Sequence, residues 1–66
     1  MRLRVNGRDR EAPEGETLAR LLVDLELPIG RVAVERNGAI VPRDRFEGTI
    51  LAAGDRLEIV QFVGGG

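Results

Sequence analysis

The sequence contains no cysteine, histidine, serine, tyrosine, tryptophan or lysine. These absences remove most side-chain nucleophiles, the group that exchanges protons near neutral pH, the soft metal ligands and the amines that form Schiff bases. Disulfides, zinc sites and iron–sulfur clusters are excluded for the same reason. Carboxylates remain as acid or base candidates, but Glu14 and Glu16 lie in a loop with proline and glycine, where we expect both to be solvated. The composition therefore predicts a protein that is not an enzyme acting alone.

Aromatic residues are also scarce, since Phe46 and Phe62 are the two that occur, and we expect a core of Leu, Val and Ile. A net charge of −1 argues against a nucleic-acid or membrane surface. No apolar run is long enough to span a bilayer and no signal-peptide pattern precedes the first strand, so we expect a cytoplasmic protein. The 66 residues leave room for one domain with one helix against a small sheet.

Two Asn-Gly dipeptides, at positions 6–7 and 37–38, predict two β-hairpins, because Asn and Gly readily adopt the positive φ angles of a two-residue turn. In the second hairpin Val32 and Val34 alternate with more polar or smaller residues, and Pro42 ends the returning strand. A short helical turn over 43–46 follows. A turn at 54–55 then leads to the last strand, predicted over 56–63.

A single helix is predicted between the hairpins, with Thr17 as its N-cap and an end near Glu26, before Pro28 and Gly30. Its apolar positions recur at i, i+3, i+4 and i+7 and form one stripe: Leu18, Leu21, Leu22 and Leu25. One face of this helix should therefore cover a sheet.

The order hairpin, helix, hairpin, short turn, last strand predicts an α+β fold in which the first strand lies beside the last at the centre of the sheet. This is the β-grasp arrangement of ubiquitin-like proteins: a mixed four- to five-stranded sheet packed on one main helix. Turn chemistry, helix periodicity and chain length agree on it.

The last strand predicts a surface for a partner. If Leu57 and Ile59 face the helix, Val60 and Phe62 must face solvent, because successive side chains of a strand point to opposite faces. We interpret Val60 and Phe62, with Val63 beside them, as a candidate docking patch.

The glycines at 64–66 predict a flexible tail that follows a folded domain over 1–63. Without Cβ atoms, Gly64 and Gly65 could thread a narrow channel of another protein and bring the Gly66 carboxylate to its active site. An ionised carboxylate is a poor acyl donor, so an adenylating partner would have to activate it before a sulfur nucleophile attacks.

Two stretches resemble the sulfur carriers of thiamine biosynthesis, the ThiS family: "RVAVERNGAIVPRDRF", in which an Asn-Gly hairpin leads into Val-Pro-Arg, and "GDRLEIVQFVGGG". The resemblance implies that Gly66 is adenylated by an ATP-dependent activating enzyme and converted to a thiocarboxylate, with sulfur from a cysteine desulfurase or a sulfurtransferase. It further implies delivery of that sulfur to thiazole synthase. Gly65 and Gly64 match the glycines that precede the family's terminal residue. The resemblance implies no cofactor bound to the chain itself, since ATP is used by the partner.

Two alternatives share the fold and the glycine end. The first is the small subunit of molybdopterin synthase, which would bind a molybdopterin synthase large subunit rather than thiazole synthase. The second is a ubiquitin-like protein modifier, which would form amide bonds with lysines of other proteins instead of a free thiocarboxylate.

Overall fold

The structure, a computed structural model, describes residues 1–62. The elements in chain order are β1 (Arg2–Val5), β2 (Arg8–Glu11), α1 (Leu18–Asp24), a 3₁₀ turn (Ile29–Arg31), β3 (Val32–Arg36), β4 (Ala39–Val41), a second 3₁₀ turn (Arg43–Arg45) and β5 (Arg56–Gln61). The five strands form one sheet in the order β2-β1-β5-β3-β4. Strands β1 and β5 are parallel, whereas the other pairs are antiparallel. The predicted mixed β-grasp sheet is confirmed.

The core lies between α1 and one face of the sheet, which we call the inner face. Its buried residues are Leu3, Ala12, Leu18, Leu21, Leu22, Val32, Val34, Phe46, Leu51, Leu57 and Ile59. Most are Leu, Val or Ile, as expected, but Phe46 is 2% exposed and adds an aromatic ring that the expectation left out. The ring follows the second 3₁₀ turn, which carries it into the cluster.

Both Asn-Gly turns adopt the predicted conformation. Asn6 and Gly7 have φ angles of 51° and 80°, and Asn37 and Gly38 have 52° and 88°. The asparagine side chains also bind β5, which the sequence pattern did not predict. The Asn6 amide accepts a 2.7 Å hydrogen bond from the Ile59 amide and donates a 3.1 Å bond to the Ile59 carbonyl. Each turn thus holds the central strand in addition to reversing the chain.

The start of α1 is as predicted. Thr17 is the N-cap, and its Oγ1 accepts a hydrogen bond from the Arg20 amide at 3.2 Å. This satisfies one of the amides that a helix start leaves without a partner. The leucine stripe faces the core, with Leu18, Leu21 and Leu22 buried and Leu25 partly buried.

The end of α1 differs from the prediction, because the helix stops at Asp24 through a Schellman motif. Glu26 adopts a left-handed φ of 59°. The Leu27 amide donates to the Leu22 carbonyl, and the Glu26 amide donates to the Val23 carbonyl, both at 2.9 Å. The helix therefore ends before the predicted proline stop, and a residue other than glycine occupies the left-handed position.

Replacing a left-handed residue by glycine is expected to have opposite effects at positions 6 and 26. Asn6→Gly keeps the turn but removes both bonds to Ile59, and should lower the free energy of unfolding by about 1–2 kcal/mol. Glu26→Gly removes the strain of a side chain at positive φ, and should raise it by about 0.5–1 kcal/mol. Urea unfolding of both variants and the wild type measures the difference.

The two substitutions control for each other, since both add the same backbone freedom to the unfolded chain. If Asn6→Gly does not lower the free energy of unfolding, the structural role assigned to the Asn6 amide is wrong. If Glu26→Gly lowers it, the strain assigned to Glu26 is wrong.

The expectation that both loop carboxylates are solvated is wrong for Glu16. The Glu14 side chain is 85% exposed, but Glu16 is 8% exposed. The Glu16 carbonyl accepts a 2.8 Å hydrogen bond from the Leu51 amide, and Thr17 forms a β-bridge with Ile50. A segment more than thirty residues later in the chain therefore covers this loop, which local sequence could not indicate.

Candidate functional site

The central strand β5 is the last strand of the sheet in chain order and precedes the C-terminal residues. It ends at Gln61, earlier than the predicted strand, although the Phe62 amide still donates a 2.8 Å hydrogen bond to the Arg31 carbonyl. Val63, Gly64, Gly65 and Gly66 lie outside the described residues, so the predicted domain boundary after residue 63 and the roles of these four residues stay predictions.

Side chains of β5 alternate between the two faces of the sheet as predicted. Leu57 and Ile59 are 1% and 8% exposed and face the core, whereas Val60 and Phe62 are 60% and 53% exposed. The exposure of the two candidate docking residues is confirmed. Their role in docking stays a prediction.

The face of the sheet away from α1, which we call the outer face, has two adjoining rows beside Phe62. In the first row Val60 lies opposite Ala33 of β3. In the second row Glu58 lies opposite Glu35, and Ile40 of β4 lies opposite Glu35 on its other side. An exposed apolar surface thus adjoins two carboxylates, which we call the acidic pair (Glu35 and Glu58).

The other half of the outer face, on β1 and β2, is charged and internally paired. Arg2 lies 3.2 Å from a Glu11 carboxylate oxygen, and Arg4 lies 3.5 Å from an Asp9 oxygen. These pairs are exposed and contribute little stability each. The exposed apolar residues of the outer face therefore lie on the half formed by β3, β4 and β5.

Asp55, just before β5, is a buried carboxylate that sequence reasoning treated as a turn residue. Its Oδ2 accepts hydrogen bonds from Arg36 Nε at 2.8 Å and the Ala52 amide at 2.9 Å, and its Oδ1 accepts one from Asn37 Nδ2 at 3.0 Å. Burial alone would raise the pKa of Asp55, but these hydrogen bonds and the Arg36 charge outweigh it, so the pKa lies below its ordinary value. The network fixes the start of β5 to the β3–β4 turn.

The described residues contain neither a metal-binding cluster nor a helix that could span a membrane. Within residues 1–62 no three His, Cys, Asp or Glu side chains are grouped so that they could hold a metal ion. No helix in this part of the chain has the length and apolar character needed to cross a bilayer. What the arrangement can do chemically is present an apolar and acidic face next to the segment that leads into the glycines.

Comparison with known proteins assigns the chain to a family. The model of the ThiS family matches residues 3–66. The sulfur carrier protein ThiS of Bacillus subtilis is 38% identical over 65 residues, which cover 97% of this chain and 98% of that protein. The chain belongs to the ThiS family. The family suggested by the Val-Pro-Arg stretch and the glycine end is therefore confirmed.

Solved structures of ThiS proteins share the fold. The crystal structure of a thiamine biosynthesis protein (ThiS) from Geobacter metallireducens superposes with a TM-score of 0.85 at 35% identity, covering the whole of both chains. The solution structure of a thiamine biosynthesis protein from the same organism gives a TM-score of 0.81 and covers 88% of that chain.

Other relatives of this ThiS family member are much longer. A thiazole synthase of Magnetococcus marinus is 41% identical over 66 residues, and one of Paramagnetospirillum magneticum is 42% identical over 66 residues. In each case the match covers 100% of this chain and 20% of the relative, so the chain spans about one fifth of the length of these proteins.

Proposed function

We propose that this chain is a sulfur carrier of thiamine biosynthesis whose Gly66 carboxylate is converted to a thiocarboxylate. A carboxylate oxygen attacks the α-phosphorus of ATP on an activating enzyme, and pyrophosphate leaves. A persulfide loaded by a cysteine desulfurase attacks the acyl carbon, and AMP leaves. A thiol then cleaves the sulfur–sulfur bond, which releases the thiocarboxylate and a disulfide. The carrier delivers its sulfur to thiazole synthase.

The observation that carries this proposal is the extent of the family match. The ThiS model matches through Gly66, so the glycines belong to the matched pattern along with the folded domain. The Bacillus subtilis relative, which is named a sulfur carrier, aligns over nearly the full length of both proteins.

The chemistry of the chain fits a carrier. It contains no Cys, His, Ser or Lys with which to catalyse the activation itself, so nucleotide, Mg²⁺ and nucleophile have to come from partners. The four residues after Phe62 can span at most about 14 Å when extended. Because glycine has no side chain, residues 64–66 form a segment narrow enough to enter a narrow channel.

The two long relatives support thiazole synthase as the acceptor. Each is named thiazole synthase and contains a segment that matches all 66 residues of this chain. Joining a carrier domain and an acceptor enzyme in one polypeptide raises the effective concentration of the carrier at the enzyme, which favours sulfur transfer between them.

The docking patch proposed for the activating enzyme consists of Val60, Phe62 and Val63. Val60→Ala is expected to raise the dissociation constant for that enzyme about tenfold, since buried apolar anchors dominate interfaces. Val23→Ala is the matched control, because Val23 is 55% exposed but lies on α1, away from the outer face. Isothermal titration calorimetry compares the two. Equal losses of affinity would exclude the outer face as the docking surface.

The test of the proposed function is intact-mass spectrometry of the purified protein incubated with ATP, the activating enzyme, a cysteine desulfurase and cysteine. A mass increase equal to replacing one oxygen by one sulfur, mapped to Gly66, is expected. Addition of thiazole synthase and its substrates should return the mass to its starting value. No mass change with partners shown to be active on another carrier would overturn the proposal, and amide-linked conjugates would indicate a protein modifier instead.

A further inference from the structure

The acidic pair is an unfavourable arrangement for the carrier on its own. Glu35 and Glu58 lie directly opposite each other in the antiparallel β3–β5 register, and both are exposed. Side chains in such positions have Cβ atoms about 4.5–5.5 Å apart, and like charges there destabilise a sheet. Within residues 1–62 neither carboxylate has a cation within 4.0 Å.

Nearby arginines do not neutralise the pair. Arg36 follows Glu35 in the chain, but its guanidinium is bound to Asp55 at 2.8 Å. Arg56 shares the outer face with Glu58 but lies two residues before it, beside Arg4 in the register. Elsewhere the chain does pair its opposite charges, as in Arg2–Glu11, Arg4–Asp9 and Arg20–Asp24. Among the described residues, the acidic pair therefore has no cation of its own, although it shares the outer face with the matched charges of β1 and β2.

The position of the pair ties it to the docking surface. Ile40 is the cross-strand neighbour of Glu35, and the Ala33–Val60 row is the next outward row along β3 and β5. All of these side chains share the outer face. A protein that covers Val60 also covers Glu58, one outward position away on the same strand. Removing two carboxylates from water without cationic partners would cost more than the apolar contacts return, so such a protein must bring cations to this spot.

We propose that Glu35 and Glu58 recognise a basic site, formed by arginine or lysine side chains, on the activating enzyme. The inference rests on the proposed function for the identity of that partner. In the complex the basic side chains relieve the repulsion between the two carboxylates, so the pair favours the bound state over the free carrier. Charges placed in this way accelerate association and select the partner.

The decisive variant is Glu58→Arg, which turns the like-charge pair into an opposite-charge pair. The free carrier should become more stable, seen as a higher urea midpoint, because the substituted side chain can pair with Glu35. The dissociation constant for the activating enzyme should rise about tenfold or more, and its dependence on salt should flatten. Glu47→Arg makes the same charge change at an exposed residue outside the sheet and is the control.

A second variant, Glu58→Gln, removes the repulsion without introducing a new charge. It should also raise the urea midpoint and should weaken binding by a smaller factor, about threefold to tenfold. Higher stability combined with weaker binding is the signature of a pair kept for recognition, since a pair that is merely tolerated would give higher stability with unchanged binding.

Binding is measured directly, by titration calorimetry of wild type and variants at two salt concentrations, and sulfur transfer is measured separately by mass spectrometry. Affinity losses for Glu58→Arg that match those of Glu47→Arg, or a wild-type carrier that does not bind the enzyme, overturn the inference. A wild type that binds but gains no sulfur overturns the proposed function. In that case the binding data still show whether the acidic pair recognises the activating enzyme.

Discussion

Removal of Gly65 and Gly66 is expected to abolish thiocarboxylate formation while leaving the fold intact. The truncation shortens the segment after Phe62 by two residues, or about 7 Å, which withdraws the carboxylate from a catalytic centre that tolerates displacements far smaller than this. The buried core lies entirely within residues 3–59. Intact mass after incubation with the activating enzyme and sulfur source should show no gain of sulfur.

A variant of unchanged length separates the effect of the length of the C-terminal segment from the effect of its width. Gly64→Ala keeps the number of residues and adds one methyl group, so any loss of sulfur transfer there reports on the width of the partner's channel. Urea midpoints of both variants should equal that of the wild type. A truncated chain that still acquires sulfur at its new end would refute the proposal that the family's terminal glycines position the reacting carboxylate.

Asp55→Asn is expected to lower the free energy of unfolding by about 2–4 kcal/mol, the largest effect on stability of any substitution considered. Asp55 accepts three hydrogen bonds on its two oxygens, and an amide in its place would direct an N–H group at one of the donors. The Arg36 side chain is 31% exposed, so solvent screens part of the ion pair and the expected loss stays below that of a fully buried pair. The total free energy of unfolding of a chain of this length is about 3–10 kcal/mol, so this loss would be a large part of it.

The matched control is Asp44→Asn, which makes the same chemical change at an exposed residue of the second 3₁₀ turn. Its free energy of unfolding should stay within about 0.5 kcal/mol of the wild type. Urea unfolding at neutral pH measures both variants. If Asp55→Asn is no more destabilising than Asp44→Asn, the hydrogen-bond network does not hold the start of β5.

The contribution of Asp55 should also depend on pH in a defined direction. The pKa of Asp55 in the folded protein lies below its ordinary value of 3.8, so the folded state binds this proton less readily than the unfolded state does. Its stabilisation is therefore fully present above about pH 5 and is lost as the pH falls through 3.8 and below. The stability difference between wild type and Asp55→Asn should shrink over the same range, which urea titrations at several pH values can follow.

Much of the fold could be predicted because its signals are local. The Asn-Gly turns, the Thr17 cap and the leucine stripe each act through neighbours within a few residues, and the structure confirms all of them. The exposure of Val60 and Phe62 followed from strand alternation, which is also local. The end of α1 differs from the sequence prediction because Glu26 occupies a left-handed position where glycine is usual, so the local pattern indicates Pro28 as the stop instead.

The parts that could not be predicted depend on residues that are distant in the chain. Asn6 binds Ile59 across 53 positions, and Asp55 binds Arg36 across 19. Nothing near Glu16 indicates that the segment around Leu51 will cover it.

The sequence by itself determined the element types, the turn conformations and the family, because these depend on backbone preferences, short-range periodicity and a recognisable stretch of residues. The tertiary structure alone decided which side chains meet. The acidic pair shows the difference, since Glu35 and Glu58 become neighbours through the register of β3 on β5. A shift of that register by one residue would turn one of the two carboxylates to the inner face, and this register is set by how the whole inner face packs against α1.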